Sequence, residues 1–131
     1  MKRLVCAGVW FVFVAAGCNG GTVDRHALMN DSATVDSMAC EGALLAHDVA
    51  RGRTTVYFAR EQAEELRIQS SNLADALSRR KTLASIRVRV RQKAKDAAAL
   101  AATLQQLHDH PSDRAVGAAL ERKLKKMGNC P

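Results

Sequence analysis

Residues 35–77, VDSMACEGALLAHDVARGRTTVYFAREQAEELRIQSSNLADAL, carry a seam: Val35, Met38, Gly42, Leu45, Val49, Gly52, Val56, Ala59, Ala63, Leu66, Ser70, Leu73 and Leu77 fall alternately three and four residues apart. Apolar at most steps, this is the period of about 3.5 residues with which one helix presents a continuous stripe to another. Asp31 or Ser32, just ahead of it, is a suitable N-cap. How the chain folds turns on Gly52, which occupies the seam without breaking its phase. Run unbroken to Ser78, the helix would be about 66 Å long, and Leu83–His108 with Ser112–Met127 would return about 63 Å, forming a long hairpin. Broken near residues 52–55, the same chain gives four helices in an up-and-down bundle. The uninterrupted phase favours the hairpin slightly, although so narrow a core needs a partner chain to bury enough surface.

After Leu77 the register slips, and a short turn is expected over Ser78–Thr82. A second run then begins: Leu83, Ile86, Val90, Lys93, Ala97, Leu100, Leu104 and Leu107. Residues 86–91 alternate apolar and basic, which is a strand template, but Lys93–Ala102 behind them is rich in the best helix formers. A strand here could pair only with residues 54–58, and a lone two-stranded ribbon is marginal in water. The run ends at His108-Asp109-His110-Pro111, where proline discourages continuation. A third helix follows, with Ser112 as cap, Val116, Leu120 and Leu124 buried, Lys125 and Lys126 on the negative end of the dipole and Gly128 as the stop. The expected class is all-α: an antiparallel helical hairpin or coiled coil, or a short up-and-down bundle.

Lys2 and Arg3 precede an uncharged stretch, Leu4–Ala16, that has the form of an export signal. It is too short to span a bilayer, which takes about 20 residues. Ala15 and Gly17 are small enough for an ordinary signal peptidase, which would leave Cys18 a plain thiol. The run Ala15-Ala16-Gly17-Cys18 also resembles the lipobox of bacterial lipoproteins, with Ala15 where leucine is usual. That resemblance covers residues 1–20 and implies that Cys18 receives a diacylglycerol and becomes the first residue after cleavage. Cysteine count favours it. Cys6 leaves with the signal, and acylating Cys18 leaves Cys40 and Cys130 as an even pair. Both architectures put the chain end beside Cys40, so a Cys40–Cys130 disulfide is expected, and the helix lengths bring Cys130 to the end nearest the anchor. The domain plan is a signal over 1–17, a flexible tether over 18–31 and a helical domain over 32–131. Lipidated cysteine plus heptad helix is similar to the murein-type helical lipoproteins. Those end in a basic residue joined to the cell wall, whereas this chain ends Gly128-Asn129-Cys130-Pro131.

Without residues 1–17 the chain keeps all 13 acids and 18 of its 20 bases, a net charge of +5. Tyr57 and Phe58 are then the only aromatics, too few for the stacking platforms of single-strand nucleic-acid binders. The positive charge is concentrated: Arg79, Arg80, Lys81, Arg87, Arg89, Arg91, Lys93 and Lys95 fall within a segment that has no acid. Outside a cell membrane the available polyanions are lipid headgroups and envelope polymers. On a helix these cations fan over two faces, and a solvated surface is the plainer account of them. In a hairpin the basic turn would lie about 60 Å from the lipidated end. In a bundle it would come back to that end.

No enzymatic chemistry is expected. His108, Asp109, His110 and Asp113 have the donor types of a zinc site but not the spacing, and His47 and Asp48 are adjacent, so they diverge around a helix. Neither a phosphate-binding glycine loop nor a Cys-x-x-Cys pair is present. No catalytic residue, metal or cofactor is assigned. The expected role is a lipid-anchored structural or interaction protein on the extracytoplasmic side of a bacterial cell or outer membrane. Its partner would be a second copy or another envelope protein. The alternative role is binding of an anionic lipid or wall polymer through Arg79–Lys95.

Overall fold

Gly52 stops the first helix. A computed structural model of the chain describes residues 21–131; the signal, Cys6 and Cys18 lie outside the described residues. Helix α1 (Arg25–Arg51) ends where Gly52 takes φ 65°, ψ 30° and donates its N–H to the carbonyls of Asp48 and Val49. That left-handed conformation costs a residue with a Cβ about 1–2 kcal/mol and glycine almost nothing. Thr55 then caps α2 (Val56–Arg79), its hydroxyl accepting from the Phe58 N–H at 3.2 Å. A short 3-10 turn over Ala84–Ile86 leads into α3 (Arg87–Asp109), and α4 (Arg114–Gly128) follows Pro111.

The described residues therefore form a four-helix up-and-down bundle, and the hairpin that the seam favoured is not formed. Both halves of the seam are real. Val35, Met38, Gly42, Leu45 and Val49 are buried along α1, and Ala59, Ala63, Leu66, Ser70 and Leu77 along α2. Gly52 and Val56, between them, are exposed. The four turn residues, 52–55, take up one step of the repeat, so phase alone does not report the reversal.

At the other end of α1 the fold begins earlier than its polar composition suggests. Asp24, not Asp31 or Ser32, is the cap, its carboxylate accepting from the Ala27 N–H at 2.8 Å. Val23 is only 1% exposed and pairs with the α2–α3 turn in a parallel bridge to Thr82. Its N–H donates to the Lys81 carbonyl at 2.7 Å, and its carbonyl accepts from the Leu83 N–H at 3.5 Å. Val23, Leu28, Leu77, Ile86, Val90 and Ala94 pack as a small second core. The flexible tether expected over 18–31 is thus replaced, from Val23 onward, by part of the fold. The turn itself sits later than 78–82, because α2 holds through Arg79 and α3 starts only at Arg87.

Helix α4 is short. Its 15 residues span about 22 Å against about 40 Å for the 27 of α1. It lies antiparallel and very close to α1: a Cβ on Gly117 would come within 2.8 Å of the Ala50 nitrogen, and one on Gly128 within 2.7 Å of the Asp36 oxygen. Gly128 is therefore a contact residue rather than the stop, and Asn129 at φ 50° takes the left-handed position. Asp113, not Ser112, caps the helix, accepting from Ala115 and Val116 at 2.9 and 3.0 Å. Leu120 and Leu124 are buried with Leu100, Leu104 and Leu107, while Val116 is only half-buried. Cys40 and Cys130 are joined, their Cα atoms 5.6 Å apart. Because α1 begins at Arg25, Cys40 lies halfway along it. The chain end consequently meets the middle of the bundle, not the end at which the described residues begin.

Glu121 adds a polar tie between α4 and α1. Its carboxylate lies 2.9 Å from Lys125 Nζ and 3.2 Å from His47 Nδ1. Lys125 chiefly, opposed by desolvation and aided by His47, holds its carboxyl below the ordinary 4.5. A lowered carboxyl stabilises the fold above its unfolded value and loses that contribution as protons bind. Stability should therefore be level above about pH 4.5 and fall below it, and Glu121→Gln should flatten part of that acid limb in urea titrations. Replacing Cys130 with Ser opens a loop with a sequence separation of 90. The unfolding free energy should drop by about 4 kcal/mol, measured by urea denaturation of oxidised protein and variant.

Candidate anionic-surface site

The bridge between Val23 and Thr82 brings the basic segment to the end of the bundle where the described chain begins. Its cations divide over two faces, as their spacing on a helix requires. Arg87, Arg91 and Lys95 of α3, with Arg80 and Lys81 of the turn, surround a trough between α2 and α3. Arg89 and Lys93 face a smaller hollow between α3 and α1, beside Leu28 and Ser32 and beyond the end of α4. Arg79 stands outside both, 3.6 Å from Asp75.

Three of the eight cations are paired. Arg79 pairs with Asp75; Arg80 lies 3.6 Å from Asp31, and Lys93 lies 3.7 Å from both Asp36 and Asp96. Among the described residues Lys81, Arg87, Arg89, Arg91 and Lys95 form no ion pair, and residues 1–20 contain no acid that could supply one. Arg87, Arg89 and Arg91 also stand on the first turns of α3, which has no acidic residue there and no side-chain cap. A cation near the positive end of a helix dipole costs about 0.3–1 kcal/mol. This end is thus electropositive by both side chain and backbone, and its ion pairs compensate only three of the eight cations.

Two apolar side chains project among these charges. Leu83 is 48% and Val88 78% exposed. The trough is about 900 Å³ in volume, with Ala74, Leu77, Val90 and Ala94 along its floor. Its single acid, Asp75, is the one engaged by Arg79. The floor residues from α2 escape a reading confined to the basic segment. Their signal is the helical spacing of Ala74, Leu77 and Ser78, which carries an apolar stripe from α2 into the basic turn.

Elsewhere the candidates are slighter. His108 Nδ1 lies 3.1 Å from Asp109 Oδ1, and with Gln105 it holds that carboxyl below its ordinary range. Among the described residues no three His, Cys, Asp or Glu side chains gather where they could hold a metal ion. His47 meets Glu121, while its neighbour Asp48 pairs with Arg53 at 2.9 Å. Exposed Leu44 and Phe58 line a small hollow of about 170 Å³ toward the Gly52 end, and Val56 and Tyr57 are exposed outside it. No helix among the described residues is long and apolar enough to cross a membrane. Comparison with family models, curated proteins and solved structures finds no match to this chain.

The basic end depends on Val23 for its position. Val23→Ser should weaken the second core by about 1.5–3 kcal/mol. Faster amide exchange in residues 24–32 and 76–94, with α4 unchanged, is the expected readout.

Proposed function

We propose that this chain is a lipid-anchored helical interaction protein of the bacterial envelope, attached through Cys18 on the extracytoplasmic side, whose basic end binds anionic lipid headgroups. The observation that carries this reading is the pairing of Val23 with Thr82. Cys18 precedes Val23 by five residues, which reach at most about 18 Å when extended. A bundle held by that cysteine therefore keeps its unpaired cations near the surface that holds it.

The resemblance to a lipobox implies two acyl chains on Cys18, and two chains suffice for stable attachment. The cations are not needed to hold the protein down. Their effect is on orientation and on which lipids gather beneath it, at about 1 kcal/mol per cation near an anionic surface, reduced by salt. Exposed Leu83 and Val88 favour lipid over a soluble wall polymer, because only a bilayer offers an apolar interior to receive them.

The test uses chain from residue 18 onward with Cys18→Ser, so that protein surface alone is measured. Co-sedimentation with phosphatidylglycerol vesicles should be strong at low salt, weak at high salt and absent with phosphatidylcholine. Arg87→Gln, Arg89→Gln and Arg91→Gln together should weaken it about 100-fold. Indifference to those changes would overturn the reading.

A further inference from the structure

The cations at the basic end are not spread evenly over it. Four of the five unpaired ones, Lys81, Arg87, Arg91 and Lys95, face the same trough between α2 and α3. Arg80 joins them while held toward α1 by Asp31. A surface that works by net charge alone has no reason to be concave. Here the cations rise around Ala74, Leu77, Val90 and Ala94, which are themselves buried. The apolar surface left open is that of Ala98 and of the methylene stems of the rim, and the turn residues Arg80–Thr82 close one end. The volume, about 900 Å³, is in the range that holds a whole small ligand, about 300–1,000 Å³.

We propose that this trough is a discrete site for one anionic glycerophospholipid, its phosphodiester taken by the charged rim and its first acyl carbons by Ala98 and the methylene stems of the rim side chains. The inference rests on the preceding reading for its ligand class and goes beyond it in assigning one bound molecule to one cavity. Charge complementarity selects the occupant. Guanidinium groups match phosphate oxygens with paired, charge-assisted N–H donors, and Arg87 and Arg91 are one turn apart on α3, so both reach the same anion. Lys81 and Lys95 supply point charges from opposite ends. An inorganic anion would satisfy the charged groups and leave Ala98 and the methylene stems uncovered. A neutral lipid would cover that apolar lining and leave four cations uncompensated. A phosphodiester joined to acyl chains answers both.

The experiment titrates the Cys18→Ser protein with dihexanoyl phosphatidylglycerol below its micelle concentration, by calorimetry and by amide shifts. Saturable binding of one molecule is expected, with shifts at residues 74–82 and 87–98. Arg91→Gln with Lys95→Gln should weaken it about tenfold or more. Arg25→Gln with Arg89→Gln removes the same charge from the same end of the bundle, outside the trough, and should change it by less than about twofold. Ala98→Phe fills the exposed mouth without altering charge and should match the Arg91 and Lys95 loss, circular dichroism confirming that α3 is intact. Equal weakening by the two charge pairs, with Ala98→Phe indifferent, overturns the trough and leaves the vesicle reading standing. Short-lipid binding without vesicle binding does the reverse. Inorganic phosphate or glycerol phosphate binding as tightly as the lipid also overturns the proposal, since the apolar lining then contributes nothing.

Discussion

The backbone of Gly52 sets the direction of everything that follows it. At φ 65° the helix cannot continue, and Thr55 offers the next one a capped start three residues later. Because α1 is 27 residues long and α2 24, a reversal at that point returns the chain almost to where it began. The turn after Arg79 then meets Val23. Had residue 52 stayed helical, the same cations would point away from the N-terminal segment by the full length of a hairpin. Which residues become neighbours of the basic turn is therefore decided some thirty positions upstream of it.

Stability is unevenly distributed along the bundle. The half toward Gly52 has four helices, glycine-mediated contact between α1 and α4, the wholly buried Leu100, Leu104, Leu107 and Leu124, and the disulfide at its upper edge. The half toward Val23 has three helices and a core of six small or medium side chains. It also carries like charges in close sequence, some at the unfavourable end of a helix dipole. Such an arrangement would not hold a helix end together by itself. It persists because the better-packed half fixes the helices on which the charges ride.

Much of this was legible in residue spacing. Period and helix formers located α3, α4 and the seam that runs through α1 and α2, and cysteine arithmetic paired Cys40 with Cys130. The reversal was hidden because residues 52–55 preserve the phase of the seam, although Gly followed by Thr is a stop and a start in the currency of caps. The early start of α1 was hidden by Asp31. Leu28, Asp31 and Val35 continue the three-and-four spacing, but a carboxylate in the middle step reads as a cap or a loop. It sits there half-buried because Arg80, from a turn distant in sequence, supplies the opposite charge. In the basic segment, spacing showed that the cations divide over two faces. That one of those faces is a trough depends on α2 packing beside α3, which no local pattern contains.

The disulfide divides the chain into a covalently closed ring, residues 40–130, and a free arm that precedes it. Tension applied to the N-terminal segment enters the molecule at Val23, on the arm. The Val23 hydrogen bonds, the small core, the Asp31 and Asp36 ion pairs and the packing of the first half of α1 resist it. Under load the arm would peel from the ring turn by turn, and the cross-link would halt the process at Cys40. The protein is built as a compliant leader attached to an inextensible loop. Pulling on it would release slack before it could unfold the body.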